Sequence, residues 1–118
     1  MREILFRGKT ACGAWVQGDL IHRKIWSSKF EVIRVDDSGF DNYTEYEIAT
    51  DTIGQFTGLT DKNGNKIFEG DIVKVDGKLY EVKYMLGQFY IGINMPISYK
   101  RFDCEVVGNI FDNAELIK

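Results

Sequence analysis

Glycine interrupts this chain too often for long helices. Twelve glycines are spread through 118 residues, and Asn63-Gly64 and Asp76-Gly77 are pairs that favour tight turns. Between these signals the apolar residues alternate with period two, the spacing of a half-buried strand. Tyr80, Val82, Tyr84 and Leu86 share one face, with Glu81, Lys83 and Met85 opposite. Phe89, Ile91 and Ile93 share the next, with Tyr90, Gly92 and Asn94 behind them. Leu86-Gly87-Gln88 reads as a tight turn, and Asp76-Gly77 as a type I′ hairpin. Residues 71–75, 79–86 and 88–94 therefore predict a three-strand meander, and residues 105–111 a further strand that closes it.

The fold class is all-β. Short, bent strands entered through Gly70-Asp71-Ile72-Val73 predict a small SH3-like barrel over residues 54–111, with closure removing exposed edges. Additional N-terminal strands precede it. Residues 4–7 read as a short strand, and residues 14–22 as another, entered by Cys12-Gly13. Residues 25–35 follow, with a kink or turn at Ser27-Ser28. Asp36-Asp37-Ser38-Gly39 is a loop. Residues 40–47 fit either a wet strand, with Tyr43, Glu45 and Glu47 on one side, or a mobile segment. In residues 112–117, Asp112 can cap a single helical turn with Glu115 reaching back, as in a capping box. The organisation expected is one domain over 1–118: strands and a variable loop to 53, the barrel region over 54–111, and a tail. A chain this long buries roughly two-thirds of its unfolded surface and folds without staples.

Charge is unevenly spread. Residues 1–34 carry seven Lys/Arg against three acids, residues 35–61 carry seven acids and no base, and residues 62–118 balance at eight each. Such blocks either pair within the fold or attract another chain; internal pairing is the expectation. Cys12 and Cys104 belong to no Cys-x-x-Cys pair, and with the lone His22 they cannot complete a tetrahedral zinc site without a carboxylate. One disulfide or two buried free thiols would satisfy the sequence, and the thiols suit a cytosolic protein. The N-terminus lacks the apolar core of a signal peptide, and no run approaches the length of a membrane helix, so the expected location is cytoplasmic.

Three blocks carry a resemblance. The first is Phe6-Arg7-Gly8-Lys9 followed by Trp15-Val16-Gln17-Gly18-Asp19-Leu20-Ile21. The second is Ile53-Gly54-Gln55-Phe56-Thr57-Gly58-Leu59-Thr60-Asp61-Lys62-Asn63-Gly64-Asn65-Lys66-Ile67-Phe68-Glu69-Gly70-Asp71-Ile72-Val73. The third is Glu105-Val106-Val107-Gly108-Asn109-Ile110-Phe111, with Leu116 beyond it. In this order they resemble the YopX-like family of temperate-phage and prophage proteins. The resemblance implies a small phage-encoded β protein and brings no activity with it. Ala114 stands where the family often has proline, which bears on the tail geometry alone.

The motifs reduce to turns under inspection. Asp61-Lys62-Asn63-Gly64-Asn65 has its glycine at position 4 and Ile72 at position 12, against positions 6 and 12 of a calcium loop, so an Asn-Gly turn is the reading. Gly8-Lys9-Thr10 ends like a phosphate loop, but Glu3 stands where a further glycine is needed. Glu69 and Asp71 flank Gly70; paired carboxylates can do acid–base work, yet Asp71 can also accept backbone N–H bonds while Gly70 takes a positive φ. No partner pattern marks His22, Cys12 or Cys104 for catalysis. Trp15, Trp26, Phe6 and Phe30 read as core or sheet packing. Tyr80, Tyr84, Phe89, Tyr90, Tyr99 and Phe102 lie among Lys78, Lys83, Lys100 and Arg101. Within that set Lys78, Lys83, Tyr90, Tyr99, Lys100 and Arg101 form a candidate surface for a partner or for nucleic acid, where exposed rings would stack on bases. A pI near 5.1 argues against a basic stripe.

Three function classes remain. A non-catalytic interaction module, binding a host or phage protein or its own copy, leads. A small barrel binding nucleic acid is second. A small-ligand binder or enzyme using Asp61, Glu69 and Asp71 is third. No cofactor is expected, and no membrane partner.

Overall fold

The computed structural model describes residues 3–36, 42–92, 95–96 and 104–117. The described chain is all-β, with antiparallel pairing throughout and 3-10 turns as its helical elements. It divides into two compact units, Met1–Gln55 and Phe56–Lys118.

The first unit contains β1 (Phe6–Lys9), β2 (Trp15–Ile25), β3 (Ser28–Asp36) and β4 (Tyr43–Ile48). They lie in the order β4-β3-β2-β1, and β1 then pairs with the start of β5 (Gly54–Thr60) through Phe6↔Gln55 and Arg7↔Gly54. Val32, Ile33 and Ile48 are its buried apolar residues. Two glycines are required by close approach. A Cβ on Gly8 would sit 2.5 Å from Ile48 Cδ1, and one on Gly18 would overlap the Arg34 carbonyl oxygen. The end of β4 returns to the end of β1: Thr10 bridges Ile48, and Ala49 N–H donates to the Lys9 carbonyl at 2.9 Å. A 3-10 turn, Thr50–Thr52, is tied in where Lys9 N–H donates to Thr52 Oγ1 at 2.9 Å.

The second unit holds the rest of β5, then β6 (Lys66–Phe68), β7 (Asp71–Val75), β8 (Lys78–Met85), β9 (Gln88–Ile91), β10 (Met95–Pro96) and β11 (Cys104–Asn109). The meander is present, and β11 returns beside β7, giving the order β10-β9-β8-β7-β11. The expected turns form: Asp76 and Gly77 both have positive φ, as do Leu86 and Gly87, the signature of type I′. Ile67, Val73, Val75, Val82, Phe89, Ile91 and Cys104 make the core, with Leu59, Tyr80 and Val106 against it. Tyr84 continues the core face in register with Phe89 but lies at its margin and stays half exposed.

Barrel closure is not seen among the described residues. The outer strands of the ladder are β10 and β11. β10 is two residues long, and Pro96 has no N–H to give to a further strand. The tail also differs in its capping. A 3-10 turn spans Ala114–Ile117, and Leu116 N–H donates to the Asn113 carbonyl. The Asn109 side chain accepts from Phe111 and Asp112 N–H, and Asn113 Oδ1 accepts from Asn109 N–H. Two carboxamides thus organise the turn expected of Asp112 and Glu115.

Candidate interaction site

β2 and β3 form a hairpin whose far half has no described backbone pairing with β1 or β4. β2 pairs with β1 over Trp15 to Gly18, and β3 pairs with β4 over Glu31 to Asp36. Beyond these limits the described ladder holds β2 and β3 to each other alone, ending at Ile25↔Ser28. Trp26 and Ser27 make the turn. Trp26 carries φ 58° while Ser27 does not share the positive sign. This sign pattern belongs to a turn whose first position normally needs glycine. Trp26 is 93% exposed, and Ile25 beside it is 57% exposed. The expectation of a packed Trp26 is therefore wrong. Trp15 fits the packing role better: the Arg7 guanidinium lies 4.9 Å and the Lys9 ammonium 5.9 Å from its ring centre. Trp26 escaped notice because the Ser-Ser dipeptide drew the turn one residue too late.

The charges along this hairpin sort by face. Arg23 and Arg34 both donate to Glu45 on β4, Arg34 at 3.1 Å, and Arg34 also lies 4.1 Å from the Tyr43 ring centre. Hydrogen bonds from Arg23 and then Arg34 hold the Glu45 carboxyl below the ordinary glutamate range. Here the basic first block meets the acidic second one, as internal pairing requires. Lys24 and Lys29 have no such acid among the described residues and stand directly opposite each other. His22, Arg23, Lys24, Lys29, Phe30 and Glu31 line an open groove of about 350 Å³.

In the second unit the acidic residues are structural. Asp61 is 5% exposed. Its Oδ1 accepts from Asn63 and Asn65 N–H at 2.9 Å each, and its Oδ2 from Val106 N–H at 2.8 Å and the Asn65 carboxamide at 3.4 Å. Burial pushes the carboxyl up, but the donors of Val106, Asn65 and Asn63 outweigh it and hold it below the usual aspartate value. N–H groups converge where a cation would need oxygens. Gly64, with φ 85°, completes the Asn-Gly turn. Asp71 Oδ2 accepts from Phe68 N–H at 2.7 Å, and Gly70 has φ 92°. Among the described residues no three His, Cys, Asp or Glu side chains are grouped to hold a metal.

The candidate surface is partly assembled. Lys83 and Tyr90 are cross-strand partners, both half-buried, on the side of β8 and β9 away from Val82 and Ile91. Lys78 is exposed at the start of β8 and, an odd number of residues from Lys83, belongs to the other face. Tyr99, Lys100 and Arg101 lie outside the described residues, as does Phe102. Neither cysteine is in a disulfide. Cys104 is buried as expected, whereas Cys12 is exposed. It sits 3.1 Å from Thr10 Oγ1, and that bond, with the Ala14 backbone, lowers its pKa.

Fold and site together define a small antiparallel β protein whose acidic turns serve the backbone and whose two most exposed large apolar side chains among the described residues, Trp26 and Leu86, sit on hairpin tips. The chain belongs to the YopX family: the family model described as YopX protein matches residues 5–118. The crystal structure of protein EF1440 from Enterococcus faecalis is similar, with a TM-score of 0.61 and 26% identity over 100% of both chains. No curated protein matches the chain. Among the described residues, no helix is long and apolar enough to cross a membrane.

Proposed function

We propose that this chain is a non-catalytic phage or prophage accessory protein, working in the cytoplasm as a protein-interaction module, with self-association through its strand edges as one form of that binding. One observation carries the reading. Large apolar side chains occupy hairpin tips in the open: Trp26 is 93% and Leu86 92% exposed, and both are held at positive φ. Such residues do nothing for a core, and exposed apolar side chains of this kind suit a protein contact. The second unit is read as an SH3-like barrel, supported by a meander whose last strand returns to pair with its first. The test is capture by tagged protein from host cells carrying an induced phage, with and without nuclease. A stoichiometric protein that survives nuclease supports the module; a strictly monomeric protein that retrieves nothing sinks it.

Nucleic-acid binding is the second reading, favoured by the Lys83–Tyr90 pair, with Lys78, Tyr99, Lys100 and Arg101 as its further candidates. Phosphate contacts would make that binding fall steeply with salt. No retention of oligonucleotide at low salt would dispose of it.

A further inference from the structure

We propose that the distal half of the β2–β3 hairpin docks an acidic, extended protein segment that carries an apolar side chain. Trp26 and Ile25 anchor that side chain, and Lys24 and Lys29 match the carboxylates. The inference rests on the protein-interaction reading and names the chemistry of the partner.

Two local rules are broken within a few residues. A bulky aromatic residue takes a positive φ that L side chains rarely adopt, with its ring 93% exposed. Next to it, Lys24 and Lys29 are in direct cross-strand register, where like charges repel. Neither feature helps the hairpin form. Local conflicts of this kind concentrate where a surface serves something other than folding. A partner answers the repulsion and the exposure, while the backbone strain stays: carboxylates neutralise the lysine pair, and apolar contact covers the ring. Tryptophan, with tyrosine and arginine, is also enriched among interface anchors.

The backbone supports an extended partner. The far half of β2 has β3 on one side and no described strand on the other, and Ser28 to Phe30 of β3 lie beyond the reach of β4. A peptide can add to such an edge through main-chain hydrogen bonds while alternate side chains select it. The open groove along this stretch, with Lys24 and Lys29 among its lining residues, gives those side chains a place to lie.

Charge decides the class of partner. Arg23 is already engaged by Glu45, Glu31 sits in register with His22, and Asp19 stands at the base of the arm. Two uncompensated lysines suit a segment with two or three carboxylates. They are too few, on a chain of net charge −3, to track a phosphate backbone. Ile25 adds aliphatic surface that base stacking would leave unused.

The test uses the full-length protein labelled with 5-fluorotryptophan, whose two fluorine resonances are assigned with a Trp26→Phe variant. The probes are a nine-residue peptide of alternating Glu and Leu, the same peptide with Gln for Glu, one with Lys for Glu, and a twelve-residue oligothymidylate. The acidic peptide is expected to shift the Trp26 resonance at least tenfold more tightly than the Gln peptide. Trp26→Gly keeps the turn, because glycine accepts the φ, and should weaken binding by roughly 30-fold, followed by peptide fluorescence, as for an interface anchor. A Lys24→Glu/Lys29→Glu variant should lose the acidic peptide and gain the Lys peptide. Equal binding of acidic and Gln peptides, or no shift at millimolar peptide, overturns the proposal. A Trp26 shift with oligothymidylate alone replaces it with a nucleic-acid site. If wild type and both arm variants capture the same protein from induced cells, the arm inference falls and the module reading stands. If wild type captures none, the arm inference falls, and the module reading falls with it when the protein is also strictly monomeric.

Discussion

The turn at residues 61–65 and the Trp26 hairpin tip both reverse the chain, and they do so with opposite chemistry. In the first, a buried carboxylate gathers N–H donors from its own turn and from β11, and glycine takes the positive φ. Every group present improves the fold. In the second, tryptophan takes the positive φ, and two lysines face each other one pair from the turn. A sequence that satisfies local rules at one turn and violates them at another separates what holds this fold from what the fold presents.

The largest effect should come from breaking the satisfied turn. Asp61→Ala leaves Val106, Asn63 and Asn65 N–H groups without their acceptor. Hydrogen bonds to a charged group are worth about 1.5–3 kcal/mol each and do not add fully, so a loss of roughly 3–5 kcal/mol is expected by urea unfolding. A loss under 1 kcal/mol would show the carboxylate to be dispensable. The same group sets an acid limit. Its folded pKa lies below its unfolded value of about 3.9. The unfolded chain therefore binds this proton first, and the stabilisation is complete above that pH and lost as pH falls through the folded pKa. Asp61→Asn should flatten the unfolding-against-pH curve in that window; an unchanged slope would assign the acid sensitivity elsewhere.

The base of the arm should behave like the turn at 61–65 rather than like the tip. Gly18 on β2 has no room for a methyl group against the Arg34 carbonyl. Gly18→Ala should cost about 3 kcal/mol, the upper end of overpacking. Thermal melts of the purified variant would settle it, and a neutral result would mean that β2 and β3 can separate at their root.

This contrast also explains what the sequence revealed. The turns at Asp76-Gly77 and Asn63-Gly64, the strand beginning at Asp71 and the β11 return were legible because each obeys a local preference. So was the structural use of Asp71, whereas Asp61 was legible only as part of an Asn-Gly turn and not as the acceptor at its centre. The 11-residue β2 was read short, stopping at His22, because Arg23 and Lys24 break the apolar alternation. Its tip was missed because no propensity places tryptophan at a positive φ. Closure of the barrel was over-read: alternation reports which face is buried and is silent on whether the outer strands meet. The arm is thus invisible to pattern reading for the same reason that it is informative in the structure.

At the tip the sign of the mutational effect should reverse. Trp26→Gly removes a left-handed penalty of about 1–2 kcal/mol, partly offset by roughly 0.5–1 kcal/mol from a more flexible unfolded chain. A net gain of about 0.5–1 kcal/mol is expected by chemical denaturation. A clear loss would mean that the ring is held by contacts that favour the folded state, and the comparison between the two turns would break.

The smallest effect tests the charges alone. Lys29→Glu converts the Lys24↔Lys29 pair into an opposite-charge pair without touching the backbone or the Trp26 ring. Cross-strand pairs of this kind differ by about 0.2–1 kcal/mol, and exposure places the gain at the low end. The gain should shrink as salt is added, since exposed charges are screened. Stabilising substitutions of this size are common in natural proteins, so the like-charge pair carries weight only beside the exposed Trp26 ring. If Lys29→Glu instead destabilises the hairpin at low salt, Lys29 already answers an acidic group in the folded protein. The repulsion that marks the tip as different from the 61–65 turn would then not exist.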